Sequence, residues 1–147
     1  MPLNRAISVI LTEPSRDWTP NPPADEEKIK ELRATVSFEL PADYLDLLRY
    51  CDGGFGDLNA APLFFIMNSI AESVEHNHYF HSRGFFTDFW FIGGNGGLET
   101  IAFDLRPGPP YPIVMIDCNA DGTDVRISNS MSEFILLIGV APDRAAE

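Results

Sequence analysis

Leu40 to Gly56, LPADYLDLLRYCDGGFG, holds a helix start, a helix body and an abrupt stop within a single short stretch. Pro41 suits the opening turn of a helix, where its missing N–H costs nothing and its φ is already set. Tyr44, Leu45, Leu47, Leu48 and Cys51 recur at spacings of three and four, which places them on one face. Asp43 and Asp46 fall early and Arg49 late, the order that the helix dipole favours. Gly53 and Gly54 end the run, because glycine takes the left-handed conformation a helix stop requires. None of these residues is a nucleophile or a base in a catalytic setting. The stretch specifies a scaffold.

Signals on either side extend that scaffold. Asp25 is a good N-cap, Glu26 and Glu27 fit a first turn, and Ile29, Leu32 and Val36 form a stripe over 25–36. Upstream, Ile7 to Leu11 is a candidate short strand. The proline-rich run from Pro14 to Pro23 is expected as an extended arm. Downstream, Ala61 to Met67 is expected as a strand. Asn68 or Ser69 caps a helix reaching about Phe80, with Ile70, Val74 and Asn77 inward. Phe89-Trp90-Phe91-Ile92 fits a strand buried on both faces. The glycines at 93, 94, 96 and 97 fit a tight, bulged turn into a strand at Thr100–Asp104. Ile113–Ile116 and Val125–Ser128 are further strands. Ser130 and Glu133 form an S-x-x-E capping signal for a closing helix packed by Phe134, Ile135, Leu137 and Ile138. Strands joined by tight turns, with helices before and after, predict an α+β domain. Its antiparallel sheet would have about four to six strands, with helices packed mainly on one side. The expected organisation is an N-terminal arm over 1–24, one domain over 25–141 and a short tail over 142–147.

Charge narrows the partners. The net charge is −12. An acidic surface repels nucleic acid and anionic membranes and attracts cationic proteins. Cys51 and Cys118 lie in no CxxC, so no disulfide framework or redox motif is expected. The apolar run at residues 6–11 is shorter than a signal peptide core or membrane span needs, which suggests a cytoplasmic protein.

Three patterns invite chemistry, and each has a plainer explanation. His76, His78 and His81 lie close together, but His76 and His78 point apart on a helical wheel and no HExxH is present. They are expected to be exposed near a helix end, and no metal site is assigned. Asp117-Cys118-Asn119-Ala120-Asp121-Gly122 matches the first half of a calcium loop, yet its twelfth position is Ser128 and its flanks are strands. A hairpin turn accounts for the same letters. The glycines of 93–97 precede no lysine and no helix, so a phosphate loop is not expected. No catalytic residue and no cofactor is assigned.

The ordered motifs do resemble a family. Leu40-Pro41-x-Asp43-Tyr44, Leu47-Leu48 and Asp52-Gly53-Gly54 come first. Phe91-Ile92-Gly93-x-Asn95-Gly96-Gly97, Ile101-Ala102-x-Asp104, Pro112-Ile113-Val114, Asp117 and Ser132-x-Phe134 follow in order. Together they are similar to the SUKH superfamily over about residues 25 to 139. That group contains bacterial immunity proteins of polymorphic toxin systems and fungal regulators of cell-wall synthesis. The resemblance implies an α+β domain without catalytic residues that acts by binding proteins. The leading expectation is an immunity protein that occludes a cognate toxin domain, a basic one such as a nuclease, through an acidic surface. The alternatives are a regulatory or scaffolding module and a small metal-dependent enzyme built on the histidines. The expected contact residues are Glu99, Asp104, Asp117, Asp121, Asp124 and Glu133, with the loop carboxylates Asp121 and Asp124 favoured.

Overall fold

A computed structural model describes residues 6–118 and 123–142. In chain order the elements are α1 (Ile7–Leu11), β1 (Trp18–Pro20), α2 (Glu26–Thr35), α3 (Ala42–Tyr50), β2 (Gly54–Asp57) and β3 (Phe64–Met67). Then come α4 (Ile70–His81), β4 (Phe89–Gly94), β5 (Glu99–Asp104), β6 (Ile113–Asp117), β7 (Asp124–Ser128) and α5 (Met131–Ile135). The seven strands form one antiparallel sheet in sequence order, β1 to β7. The expected α+β class holds, with one strand more than the upper expectation.

The local signals act as read. Asp25 accepts from the Lys28 N–H at 2.8 Å and caps α2. Pro41 sits at the N-cap of α3, and Tyr44, Leu45, Leu47 and Leu48 are its buried face. Ser69 and Glu72 form a complete capping box at the start of α4. At α5 the box is half made. Ser130 accepts from the Glu133 N–H, while the Glu133 carboxylate turns to the Asn129 N–H. The Asp52-Gly53-Gly54 stop does more than end α3. Asp52 Oδ1 accepts from the first N–H of α4, that of Ile70, at 2.7 Å. A Cβ on Gly53 would lie 2.9 Å from the Met67 carbonyl oxygen and 3.0 Å from the Ser69 nitrogen. Its φ of +94° also suits glycine. The motif is therefore the junction of α3, β2 and α4.

Two expectations are corrected. Ile7–Leu11 is a helix, not a strand, and Ile7, Ile10 and Leu11 are its buried side. Those positions are spaced three and four apart, the helical period. Gly54–Asp57, expected only as a helix stop, is a strand with β1 and β3 as neighbours. Its glycines make room for Trp18 of β1, since a Cβ on Gly54 would lie 2.7 Å from the indole. Trp18 stacks in turn on Phe65.

The sheet has two faces of unequal cover. On one, Trp90, Ile92, Ile101, Phe103, Phe65 and Met67 join the buried sides of α1, α2, α3 and α5 in the main core. On the other, Phe89, Phe91, Ala102, Val114 and Ile116 form a second cluster, with Phe80, Phe86 and Cys118 packed against it. The expectation that Phe89–Ile92 is buried on both faces holds. Helix α4 belongs to both clusters, giving Ile70 to one and Phe80 to the other. It stands at a seam, because β3 and β4 pair only at Ile66–Gly94 and Met67–Gly93.

Candidate functional site

The seam explains the histidines and their neighbour Asn77. Between Phe89 and Phe91, β4 has no β3 partner. Asn77, 1% exposed, accepts from the Phe91 N–H at 2.7 Å and donates to the Phe91 carbonyl at 3.0 Å. His81 Nε2 lies 2.9 Å from the Phe89 carbonyl oxygen and 3.1 Å from that of Phe86. His76 stacks on the Phe91 ring at 4.7 Å, and its Nδ1 lies 3.1 Å from Asn68 Nδ2. Burial, and secondarily His81, lowers the His76 pKa. His78 alone is exposed as expected; His76 and His81 are partly buried structural groups. Among the described residues no cluster suits a metal ion.

The six expected contact carboxylates are not equivalent. Asp104 is 5% exposed and receives a bidentate Arg106 guanidinium at 2.9 and 3.0 Å. The Arg106 hydrogen bonds hold its carboxyl below the usual range. The same guanidinium reaches Asp124 at 2.9 Å and lies over the Phe89 ring. Asp104 and Asp124 thus form an internal ion-pair network on the sheet. Glu133 serves the start of α5. Asp117 is paired in register with Glu99 across β5 and β6 and has an interaction partner of its own. Asp121 and the greater part of the calcium-loop match lie outside the described residues. Glu99 is the carboxylate that faces a cavity. It holds Asn95 Nδ2 at 3.0 Å on the wall of a groove of about 330 Å³.

That groove follows from register. Phe55, Ile66, Gly94, Thr100, Ile116 and Asp124 are successive partners across β2 to β7, so they form one row on the sheet face away from α3. Gly94 carries no side chain in the row, and with Gly93, Gly96 and Gly97 it lines the groove. Ile66 and Thr100 flank it, and Asn68 and His76 close one side. The β4–β5 register shifts between Phe91 and Gly93, at the start of the glycine run and ahead of the turn where a bulge was expected. Gly93 must be glycine because a Cβ there would lie 2.1 Å from the Ile66 carbonyl oxygen. Beside the groove, Phe55, Phe64 and Ile66 stand 48, 37 and 38% exposed, with the Phe55 and Phe64 rings 6.5 Å apart and the Ile66 Cδ1 against Gly96. Reading the sequence did not single out these side chains. Alternation within FGD and FFIM was the available signal, but it became legible only once β2 was known to be a strand.

Tyr44 lies on the other side of the sheet. Its hydroxyl is fully buried facing Ser73 and Trp90, and burial pushes its pKa up to about 12. Burial likewise pushes the Cys51 thiol up to about 12, which marks it as an inert core residue. No helix among the described residues is long and apolar enough to cross a membrane.

The family model for the SMI1 / KNR4 family (SUKH-1) matches residues 23–137. No curated protein matches the chain at a significant level.

Proposed function

Because the chain belongs to the SMI1 / KNR4 family (SUKH-1), we propose that it is a non-catalytic binding protein that neutralises a basic toxin domain by occluding it. The observation that carries this reading is the family match, which spans the ordered motifs from the α2 start to the α5 end. Charge sets the chemistry of the partner. With a net charge of −12, the protein attracts a cationic domain over distance and disfavours nucleic acid itself. A cytoplasmic immunity protein facing a basic nuclease fits both features. The activity would be stoichiometric occlusion, with no bond made or broken. Helix capping and packing account for the family motifs in this chain, and the ion pair with Arg106 accounts for Asp104.

The test is a titration of the full chain with the toxin domain encoded beside its gene, at low and high salt. Tight one-to-one binding at low salt, with loss of toxin activity, is expected. No binding at low salt, where electrostatic attraction is strongest, would overturn the reading.

A further inference from the structure

We infer that the exposed apolar strip Phe55–Phe64–Ile66 and the adjoining Gly94 groove are the surface on which a basic protein partner docks, which places the contact on β2, β3 and the β4–β5 turn. The inference rests on the proposed function above and locates its interface.

Cover is the first reason. The β4–β6 part of this sheet face is covered by Phe80, Phe86 and the Arg106 guanidinium over Phe89. The β2–β3 part has no such roof among the described residues. Phe55, Phe64 and Ile66 leave a contiguous apolar surface on adjacent strands. Contiguous exposed apolar patches mark interaction surfaces, whereas scattered single side chains do not. The groove lined by Gly93, Gly94, Gly96 and Gly97 adds relief, so a partner's apolar side chain can enter beside Ile66.

Charge selects the occupant. Between Arg49 and Arg106 the only Lys or Arg is Arg83, so β2, β3, β4, β5 and the β4–β5 turn carry no cation. Arg83 sits beyond the C-terminal end of α4, over the Tyr79 ring. Asp57 shares the exposed face of Phe64, being its register partner, and Glu99 stands on the groove wall. An apolar centre flanked by carboxylates, on strands that carry no cation, fits a partner presenting apolar side chains within a ring of Lys and Arg. A second copy is the wrong complement. It would set carboxylates against carboxylates on chains that each carry −12.

Isothermal titration with the basic toxin domain encoded beside the gene tests this on the full chain. The variants are the double substitution Phe55→Thr/Ile66→Thr and the single substitution Ile66→Lys, with Val125→Thr on β7 as control. All three sites are exposed, threonine suits strands, and circular dichroism with a urea midpoint verifies folding. The double variant is expected to bind at least tenfold more weakly, Ile66→Lys more weakly still, and the control within twofold of the parent. Undiminished binding by a folded double variant would overturn the surface while leaving the proposed function standing. Failure of the parent chain to bind would overturn the function and the occupant together. Sedimentation that shows a dimer, abolished by the double variant, would assign the face to a second copy and overturn the basic partner.

Discussion

Asn77 of α4 holds both backbone polar groups of Phe91 on β4, at 2.7 and 3.0 Å, and so does for that strand what a neighbouring strand would do. The arrangement is needed because β3 leaves β4 after two residue pairs. Buried backbone groups must be paired, and a side-chain amide has the same donor and acceptor as a peptide unit. Asn77→Leu keeps the branching and heavy-atom count of the side chain and removes both bonds, together with the one to the Ser73 carbonyl. It should cost about 3 kcal/mol by urea denaturation, since each orphaned buried group costs roughly 1–3. The exposed neighbour Glu75→Gln should leave the midpoint unchanged.

The seam also depends on close approach. Gly93→Ala would force a Cβ to within 2.1 Å of the Ile66 carbonyl oxygen, a backbone atom that cannot swing away. A loss of about 3 kcal/mol is expected in the same assay, at the upper end of overpacking costs. Gly84→Ala separates clash from strain. Its φ is +79° but nothing lies within 4 Å of the added carbon, so only the left-handed penalty of about 1 kcal/mol applies.

Arg106 and Asp104 give a pH signature. The folded Asp104 pKa is lowered, mainly by its hydrogen bonds to Arg106, so its stabilising effect is complete above the unfolded value of about 4 and is lost as pH falls through the folded value. Arg106→Ala leaves a buried carboxylate with burial as its dominant influence. The parent should exceed the variant by about 1–3 kcal/mol at pH 7. That gap should narrow as pH falls from 7 toward 3 and the carboxyl begins to protonate. Urea midpoints at the two pH values measure it. A constant gap would mean that Arg106 acts through packing on Phe89 alone.

His76 titrates in the opposite region. Its folded pKa lies below the unfolded value of about 6.5, so the unfolded chain binds the proton first and stability falls as pH drops from there. Melting temperatures between about pH 7.5 and 5 should decline, and His76→Phe, which keeps a ring on Phe91, should reduce the slope.

Electrostatics at the groove has its own readout. Binding of a basic partner should weaken steeply with salt. Glu99→Gln removes the groove carboxylate and should flatten that dependence. Glu133→Gln, at the start of α5, should not. Titrations at several salt concentrations distinguish the two.

Much of this fold was legible from residues close together in the chain. The caps at Asp25, Ser69 and Ser130, the α3 stripe and the glycine stop are contacts within a few residues, and short-range geometry settles them. Order along the chain then sufficed for the family motifs and the α+β class. Ile7–Leu11 had the letters of either element; packing of Ile7, Ile10 and Leu11 into the core made it a helix. Gly54–Asp57 has weak strand propensity and is a strand because Trp18 and β3 flank it. The carboxylates looked alike as letters. Folding brought Arg106 to Asp104 and Asp124 and left Glu99 on a groove. The sequence alone determined where helices begin and stop and how much negative charge the surface carries. Which charges remain available, and that Phe55, Phe64 and Ile66 share one uncovered face, depended on strand register, a relation among residues distant in sequence that no local signal encodes.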